Sequence, residues 1–407
     1  MKAIFLGLIF LFGIEVTMAQ RSVGGVVRTE NGDPLPNATV RVIGTLKGTV
    51  SDADGKFELK NITASPLIIE ITYIGYKVFR DTLSVSADPA ALEISLSEES
   101  FLADALVVTA TRVEPSAPVA HTTLTNEKIQ EMNTGKDVPY IVSQTPSVVS
   151  SSDAGAGIGY TALRIRGIDQ TSINVTINGI ALNDPEGQGV YWVDIPDFSS
   201  SLSDIQIQRG VGSSTNGPAS FGASINMQTE PVNQKAYVEV GGSYGSFNSQ
   251  RTVLKLGSGI FAKYWAVDGR LSTIRSDGYI DRASTDMLSY YFSLGFNNGK
   301  TSVKLLSFGG REETYQAWYG VDEFTLKTDR TFNIAGAKYD SQDNIYDFHE
   351  NEIDHYEQDH LQLHMDHKIS ALWRIQTSVH FTYGRGYFEQ YKQEDSLHYY
   401  NLSSVEI

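Results

Sequence analysis

Four histidines, His355, His360, His364 and His367, crowd one stretch of the chain, and neutral imidazole is a common metal ligand. Whether they could share an ion depends on the backbone that carries them. On a helix, His360 and His364 would lie on one face. On a strand rising about 3.3 Å per residue they stand roughly 13 Å apart, and His367 faces away from His364. The neighbours argue for a strand, because Leu361, Leu363, Met365 and Ile369 alternate with His360, Gln362, His364, Asp366 and Lys368. The histidines therefore read as polar lining of a wet interior, and no metal site is expected. Asp52-Ala53-Asp54-Gly55 starts like a calcium loop but lacks the later ligands and the closing Glu, so it reads as a tight turn. Gly155-Ala156-Gly157-Ile158-Gly159 has no strand–turn–helix context and is not a nucleotide fingerprint.

The remaining chemistry is recognition. The stretch 308–359 carries Trp318, Tyr319, Tyr339, Tyr346, Phe348 and Tyr356 among many carboxylates. It suits ligand capture by aromatics oriented by acids, and equally a solvated loop whose carboxylates attract divalent ions. No enzyme constellation appears. With no cysteine, there is no thiol nucleophile, disulfide or cysteine-borne lipid anchor. A net charge of -16 excludes nucleic acid, which demands a basic face.

The elements that would position these residues are mainly β. Lys2, the apolar run Ala3–Ile14 and the small-residue site Thr17-Met18-Ala19 read as a signal peptide over 1–19. Nothing later is apolar for long enough to span a bilayer as a helix, so membrane insertion must be by barrel. Residues 20–97 read as short strands parted by turns: Val23–Thr29, Ala38–Ile43, a hairpin joining Gly48–Ser51 to Lys56–Leu59, Leu67–Tyr73, Phe79–Val85 and Leu92–Leu96. That spacing suggests a small β-sandwich. Residues 113–230 look soluble and mixed α/β. Helices are expected at Asn126–Met132, capped by Thr125, and at Val138–Ser143. Strands are expected at Thr161–Ile165, Ile173–Ile177, Ile205–Gln208 and Ile225–Gln228.

From residue 231 a strict two-residue alternation takes over. Trp373, Ile375, Val379, Phe381 and Tyr383 oppose Arg374, Gln376, Ser378, His380 and Thr382; Trp265, Val267 and Leu271 oppose Asp268, Arg270 and Ser272; Tyr290, Phe292, Leu294 and Phe296 oppose Tyr291, Ser293 and Gly295. An apolar outside with a polar inside is the pattern of a lipid-facing strand around a wet lumen. Short links (Gly257–Ile260, Asn297–Lys300, Ile369–Leu372) alternate with long ones (Arg275–Met287, Phe308–Asp359), as periplasmic turns alternate with extracellular loops. About seven strands fit into 231–407, whereas plugged outer-membrane transporters use roughly twenty-two. An unfinished barrel leaves open edges that hydrocarbon does not tolerate, so the chain is expected to continue past Ile407.

Several motifs carry a family resemblance. The order Gly-Gly-Val-Val-Arg, Asn-Gly-Asp-Pro-Leu-Pro-Asn-Ala-Thr-Val, Thr-Val-Ser-Asp-Ala-Asp-Gly-Lys-Phe and Tyr-Ile-Gly-Tyr within 20–97 resembles the carboxypeptidase-regulatory-like domain that heads outer-membrane receptors of Bacteroidetes type. No histidine falls in 20–97, which leaves that module without zinc ligands. Leu163-Arg164-Ile165-Arg166-Gly167, Val175-Thr176-Ile177-Asn178-Gly179, Ile205-Gln206-Ile207-Gln208-Arg209-Gly210 and Phe221-Gly222-Ala223-Ser224-Ile225-Asn226-Met227 resemble the plug of TonB-dependent receptors. Asn178 stands where that family usually has Asp, and Val211 follows Arg209-Gly210 in place of Pro. Gln316-Ala317-Trp318-Tyr319-Gly320 and Gly384-Arg385-Gly386-Tyr387 are similar to the iron-complex receptor branch.

The resemblance implies five parts: signal peptide 1–19, sandwich 20–97, a linker 98–112 with a TonB box, plug 113–230, and the N-terminal portion of a transmembrane antiparallel β-barrel over 231–407. Within the linker, Asp104, Ala105, Leu106, Val107, Val108, Thr109 and Ala110 match the TonB box. Arg164, Arg166 and Arg209 would contact the barrel, with Glu239 as a partner. Asn183, Gln188, Tyr191, Trp192, Trp318 and Tyr319 would face the ligand. The implied partners are the TonB-ExbB-ExbD inner-membrane complex, outer-membrane lipid and a small metal chelate; no cofactor is implied. The expected activity is uptake of a ferric-siderophore-like complex by energy-coupled plug rearrangement in the outer membrane of a Gram-negative bacterium. Cobalamin, haem or oligosaccharide are alternative cargoes. A non-transporting surface binding protein is the alternative of another class, and it would have no use for a TonB box.

Overall fold

The computed structural model describes residues 21–30, 32–62, 67–73, 76–83, 92–97, 112–113, 119–211, 221–370, 373–392 and 395–402. The expected signal peptide, 1–19, and the expected TonB box, 104–110, lie outside the described residues. The chain divides into two compact units, residues 1–101 and 102–407.

In the first unit, β1 (Arg21–Thr29), β2 (Thr39–Val42), β3 (Gly48–Val50), β4 (Lys56–Ile62), β5 (Leu67–Thr72), β6 (Phe79–Leu83) and β7 (Leu92–Leu96) form two sheets, ordered β4-β1-β7 and β3-β2-β5-β6. Alternate residues point inward, as a half-buried strand requires. Val27, Val40, Ile69 and Ile71 meet in the core with Leu59 and Leu96. The expected hairpin of Gly48–Ser51 with Lys56–Leu59 is corrected. β3 pairs with β2, whereas β4 pairs with β1 in the other sheet. The turn between them is real but changes sheets. Asp52 accepts from the amides of Asp54 at 2.9 Å and Lys56 at 2.8 Å, and Gly55 takes φ +77°. The Asp52 carboxylate thus serves its own turn, as the tight-turn reading requires.

The second unit begins with β8 (His121–Thr125), α1 (Asn126–Met132), α2 (Val138–Val142), β9 (Val148–Ser152), β10 (Thr161–Ile165), β11 (Ile173–Ile177), β12 (Ile180–Ala181), β13 (Leu202–Arg209) and β14 (Ala223–Thr229). A five-stranded sheet, β12-β11-β14-β13-β8, lies beside the β9/β10 hairpin. Every residue of β11 and β14 is buried, so these strands are covered on both faces. Thr125 is the N-cap residue of α1, but its side chain makes no capping bond.

Next come β15 (Ala236–Tyr244), β16 (Gln250–Ser258), β17 (Trp265–Ser276), β18 (Thr285–Asn297), β19 (Thr301–Tyr315), α3 (Glu323–Thr328), β20 (Ala337–Tyr339), β21 (Ile345–Phe348), β22 (Ile353–Lys368) and β23 (Arg374–Phe388). Seven of these strands make one antiparallel sheet, β15-β16-β17-β18-β19-β22-β23, in which sequence neighbours pair. The sheet is inside-out by the standards of a water-soluble protein. On β22, His360, Gln362, His364 and Asp366 are buried while Leu361, Leu363 and Met365 are exposed. On β17, Asp268, Arg270 and Ser272 are buried while Leu271 is exposed. Lipid solvates the apolar face in such a wall. The 298–300 turn fixes register: Gly299 takes φ +83°, and Asn298 accepts from the Thr301 amide at 2.8 Å. The long connection proper spans 316–352, shorter than the expected 308–359, because β19 and β22 extend to Tyr315 and from Ile353. Tyr356 is therefore a strand residue.

Candidate functional site

Plug and wall share one hydrophobic cluster. Tyr291, Leu306 and Phe308 of β18 and β19 pack with plug residues that include Ile177, Phe198, Ile205 and Ile225. The rings of Phe198 and Phe308 lie 4.9 Å apart. Gly310 lets the wall approach the plug, since a Cβ there would stand 2.6 Å from the Pro196 ring.

Around this apolar contact runs a polar seam. Asp197, at φ 50°, accepts from Arg251 Nε at 2.9 Å and Arg270 Nη1 at 3.3 Å. It also accepts from Asn133, Ser200 and Ser272. Its carboxyl is fully enclosed. Burial pushes the Asp197 carboxyl up, but Arg270 and Arg251 outweigh burial and hold it below the usual carboxylate range. Further along, Lys304 Nζ donates to the Thr229 hydroxyl and the Glu230 carbonyl, both at 2.8 Å. Lys255 pairs with Glu230 at 3.5 Å. Asn178, at φ 53°, donates to Gln362 of β22 at 3.3 Å and accepts from the Thr229 amide at 3.0 Å.

Two of the four expected plug–barrel residues, Arg164 and Arg209, serve the plug itself. Arg164 pairs with Asp169 at 3.7 Å. Arg209 donates to the Thr122 hydroxyl at 2.7 Å and to the His121 carbonyl. Arg166 sits in a turn at φ 53° with its guanidinium near Gly210. Glu239 is exposed on β15. The expected pairing of these arginines with Glu239 is thus corrected: the wall supplies arginines and the plug supplies the acid. Asp197, Arg251 and Arg270 escaped sequence reading because nothing in Pro196-Asp197-Phe198 marks a buried acceptor. The inward position of Arg270 was nevertheless legible from the alternation.

A cavity of about 630 Å³ opens between the plug loop 181–195 and β22–β23, lined by Tyr160, Asn183, Tyr191, Asp194, Asp354 and Tyr356 among others. Asn183 braces this loop by accepting from the Val175 amide and donating to the Ile173 and Gln188 carbonyls. Gln188 turns the chain at φ 58°. Tyr191 is exposed at the cavity, whereas Trp192 is buried in the plug core, which corrects its expected ligand-facing role. Trp318 stacks edge-on against Tyr160 at 5.5 Å, and Gln390 donates to the Tyr319 hydroxyl. Tyr315 holds the long connection down through the His349 carbonyl at 2.6 Å.

His360 and His364 are satisfied locally, by Gln358 and Thr382 in one case and Ser378 and Gln362 in the other. Among the described residues, no group of three acidic, histidine or cysteine side chains is arranged to hold a metal ion.

Residues 23–108 match the CarboxypepD_reg-like domain family and residues 114–224 match the TonB-dependent Receptor Plug Domain. The chain thus carries a CarboxypepD_reg-like domain followed by the plug domain of TonB-dependent receptors. The TonB-dependent receptor SusC of Bacteroides thetaiotaomicron is 34% identical over 100 residues, 25% of this chain and 9% of SusC. The TonB-dependent receptor P39 of Formosa agariphila is 26% identical over 159 residues, 39% of this chain and 15% of P39. Among solved structures, BauA, the ferric preacinetobactin receptor of Acinetobacter baumannii, superposes with a TM-score of 0.53 at 15% identity, covering 66% of this chain and 38% of BauA. That likeness shows the shared fold: a plug seated against the strands of a β-barrel wall. The matched spans cover well under half of each of these proteins.

Proposed function

We propose that this TonB-dependent receptor takes up a scarce ligand, a ferric-siderophore-like iron complex, through energy-coupled rearrangement of its plug. The observation that carries the reading is the seam itself. A plug bonded to the wall by Asp197, Lys304 and Asn178 blocks free diffusion, so passage requires those contacts to be exchanged. The outer membrane is leaky to ions and the periplasm lacks ATP, so the energy must come from an inner-membrane partner, here TonB-ExbB-ExbD. An extended segment at Asp104–Ala110 would add as a strand to that partner's sheet edge, where main-chain hydrogen bonds carry load. The iron-complex reading draws on Gln316–Gly320, on Gly384–Tyr387 and on the fold shared with a ferric preacinetobactin receptor. Tyr191 and Tyr356 at the cavity favour an oligosaccharide as the second reading, since sugar faces stack on aromatic rings.

The test is growth of a deletion strain under iron limitation with defined siderophores, with and without the restored gene. Restoration of growth on one siderophore supports the reading. Unaltered growth of the deletion strain on every iron source, with lost growth on an oligosaccharide, replaces it with the second reading.

A further inference from the structure

Asp194, Glu312 and Asp354 gather where the plug meets β19 and β22. Tyr160 donates its hydroxyl to Asp354 and has Glu312 and Asp194 beside it. The charges nearest Glu312 are Asp354, Asp194 and Glu313, all acidic. Those nearest Asp194 are Asp354 and Asp184. No lysine or arginine lines the adjoining cavity among the described residues.

An acidic cluster alone is not a site, but Glu312 adds a second observation. It is 1% exposed, and neither carboxyl oxygen has a partner that meets hydrogen-bonding geometry. A buried carboxyl left without a donor costs free energy that a partner would recover. The charges of Asp354 and Asp194 act on it, and Tyr160, Asp194 and Asp354 line the cavity. Aromatic rings complete the surroundings: Trp318 edges against Tyr160, and Tyr191 and Tyr356 line the walls. Carboxylates interleaved with aromatic faces recognise organic cations through charge and through the ring quadrupole. A bare metal ion is the poorer fit, since no three of these groups converge to ligate one.

We infer that the cavity takes a positively charged nitrogen, an ammonium or guanidinium group on the transported ligand, held by Asp194, Glu312 and Asp354 against the ring of Tyr160. The inference rests on the transport reading and narrows its cargo to molecules that carry a cationic arm. Burial, with Asp354 and Asp184 beside it, pushes Asp194 up to about 7.

The test uses the full-length protein in detergent micelles, titrated calorimetrically with spermidine, calcium chloride and maltotriose. Saturable heat is expected with spermidine alone. Glu312→Gln and Asp194→Asn, each checked for folding by heat-modifiable gel mobility, should weaken it at least tenfold. Glu323→Gln, on the exposed α3, should leave it unchanged. Absence of saturable spermidine binding, equal affinity in the folded Glu312→Gln variant, or displacement of spermidine by calcium would each overturn the inference. Intact spermidine binding with no energy-dependent uptake would instead sink the transport reading and leave the cation site standing.

Discussion

Asp197 of the plug receives the guanidinium of Arg270, a residue of the lipid-facing wall, and both side chains are out of contact with water. Removing one partner of a buried ion pair leaves the other charge uncompensated, at roughly 3–5 kcal/mol. Asp197→Ala should therefore lower the thermal midpoint of the protein in micelles and loosen the plug. The second effect is read as increased sensitivity of cells to a bulky antibiotic normally excluded by the outer membrane. Unchanged midpoint and unchanged sensitivity would show that the pair is not a tether.

The pH dependence of the same carboxyl follows from its depressed folded value. A depressed carboxylate contributes its full stability above the unfolded value near 4 and loses it as pH falls through the lower folded value. Wild-type and Asp197→Asn proteins should thus keep a constant stability gap from pH 8 to pH 5, and the gap should shrink only below about pH 4. Denaturant midpoints across that range check it.

Asp194 behaves in the opposite sense. Its folded value of about 7 lies above the ordinary value, so the folded state holds a proton that the unfolded state has lost between roughly pH 4 and pH 7. Stability contributed by this group falls as pH rises through that window. Asp194→Asn should be more stable than wild type at pH 8 and close to it at pH 4. The gain at pH 8 should reach as much as a few kcal/mol, because a tenfold change in proton affinity between the folded and unfolded chain is worth about 1.4 kcal/mol. An equal midpoint difference at both pH values would contradict this.

Gly310 marks the closest approach of wall to plug. Gly310→Val would drive a side chain into the Pro196 ring, whose Cδ already lies 2.6 Å from an added Cβ. The proline ring cannot rotate away, so overpacking of about 1–3 kcal/mol is expected. Protease protection of the plug should fall while the strand content by circular dichroism is retained. Full protection would place the slack elsewhere.

On the proposed transport reading, deleting Asp104–Ala110 should abolish uptake while surface binding of the same ligand persists, because the segment would serve the inner-membrane partner and not the cavity. Radiolabelled uptake against binding on ice separates the two. Retained uptake would remove the TonB box from the account.

The wall was the most legible part of the sequence. Alternation along 360–369 and 263–273 gave the inward set that the structure buries, because a two-residue period admits only two assignments. Helices α1 and α2 and strands β10, β11, β13 and β14 also lie where turn and apolar signals put them. The 48–59 hairpin failed for a physical reason: turn chemistry at Asp52–Gly55 specifies a reversal but not which sheet receives the next strand. The seam failed in a related way. Arg164 is taken by nearby Asp169 and Arg209 by Thr122 on the neighbouring plug strand, and no local pattern pairs Asp197 with residues 54 and 73 positions away. Trp192 was misassigned because an aromatic in a polar loop looks exposed until its neighbours are known.

The sharing of one oily cluster between stopper and wall bears on the order of assembly. Tyr291, Leu306 and Phe308 point into the lumen, where water would otherwise wet them. A barrel that closed first would present them as a greasy spot in its own bore, and the late-arriving stopper would have to displace whatever had settled there. Strand pairing around a stopper already in place avoids that trap, which makes the cork part of the mould.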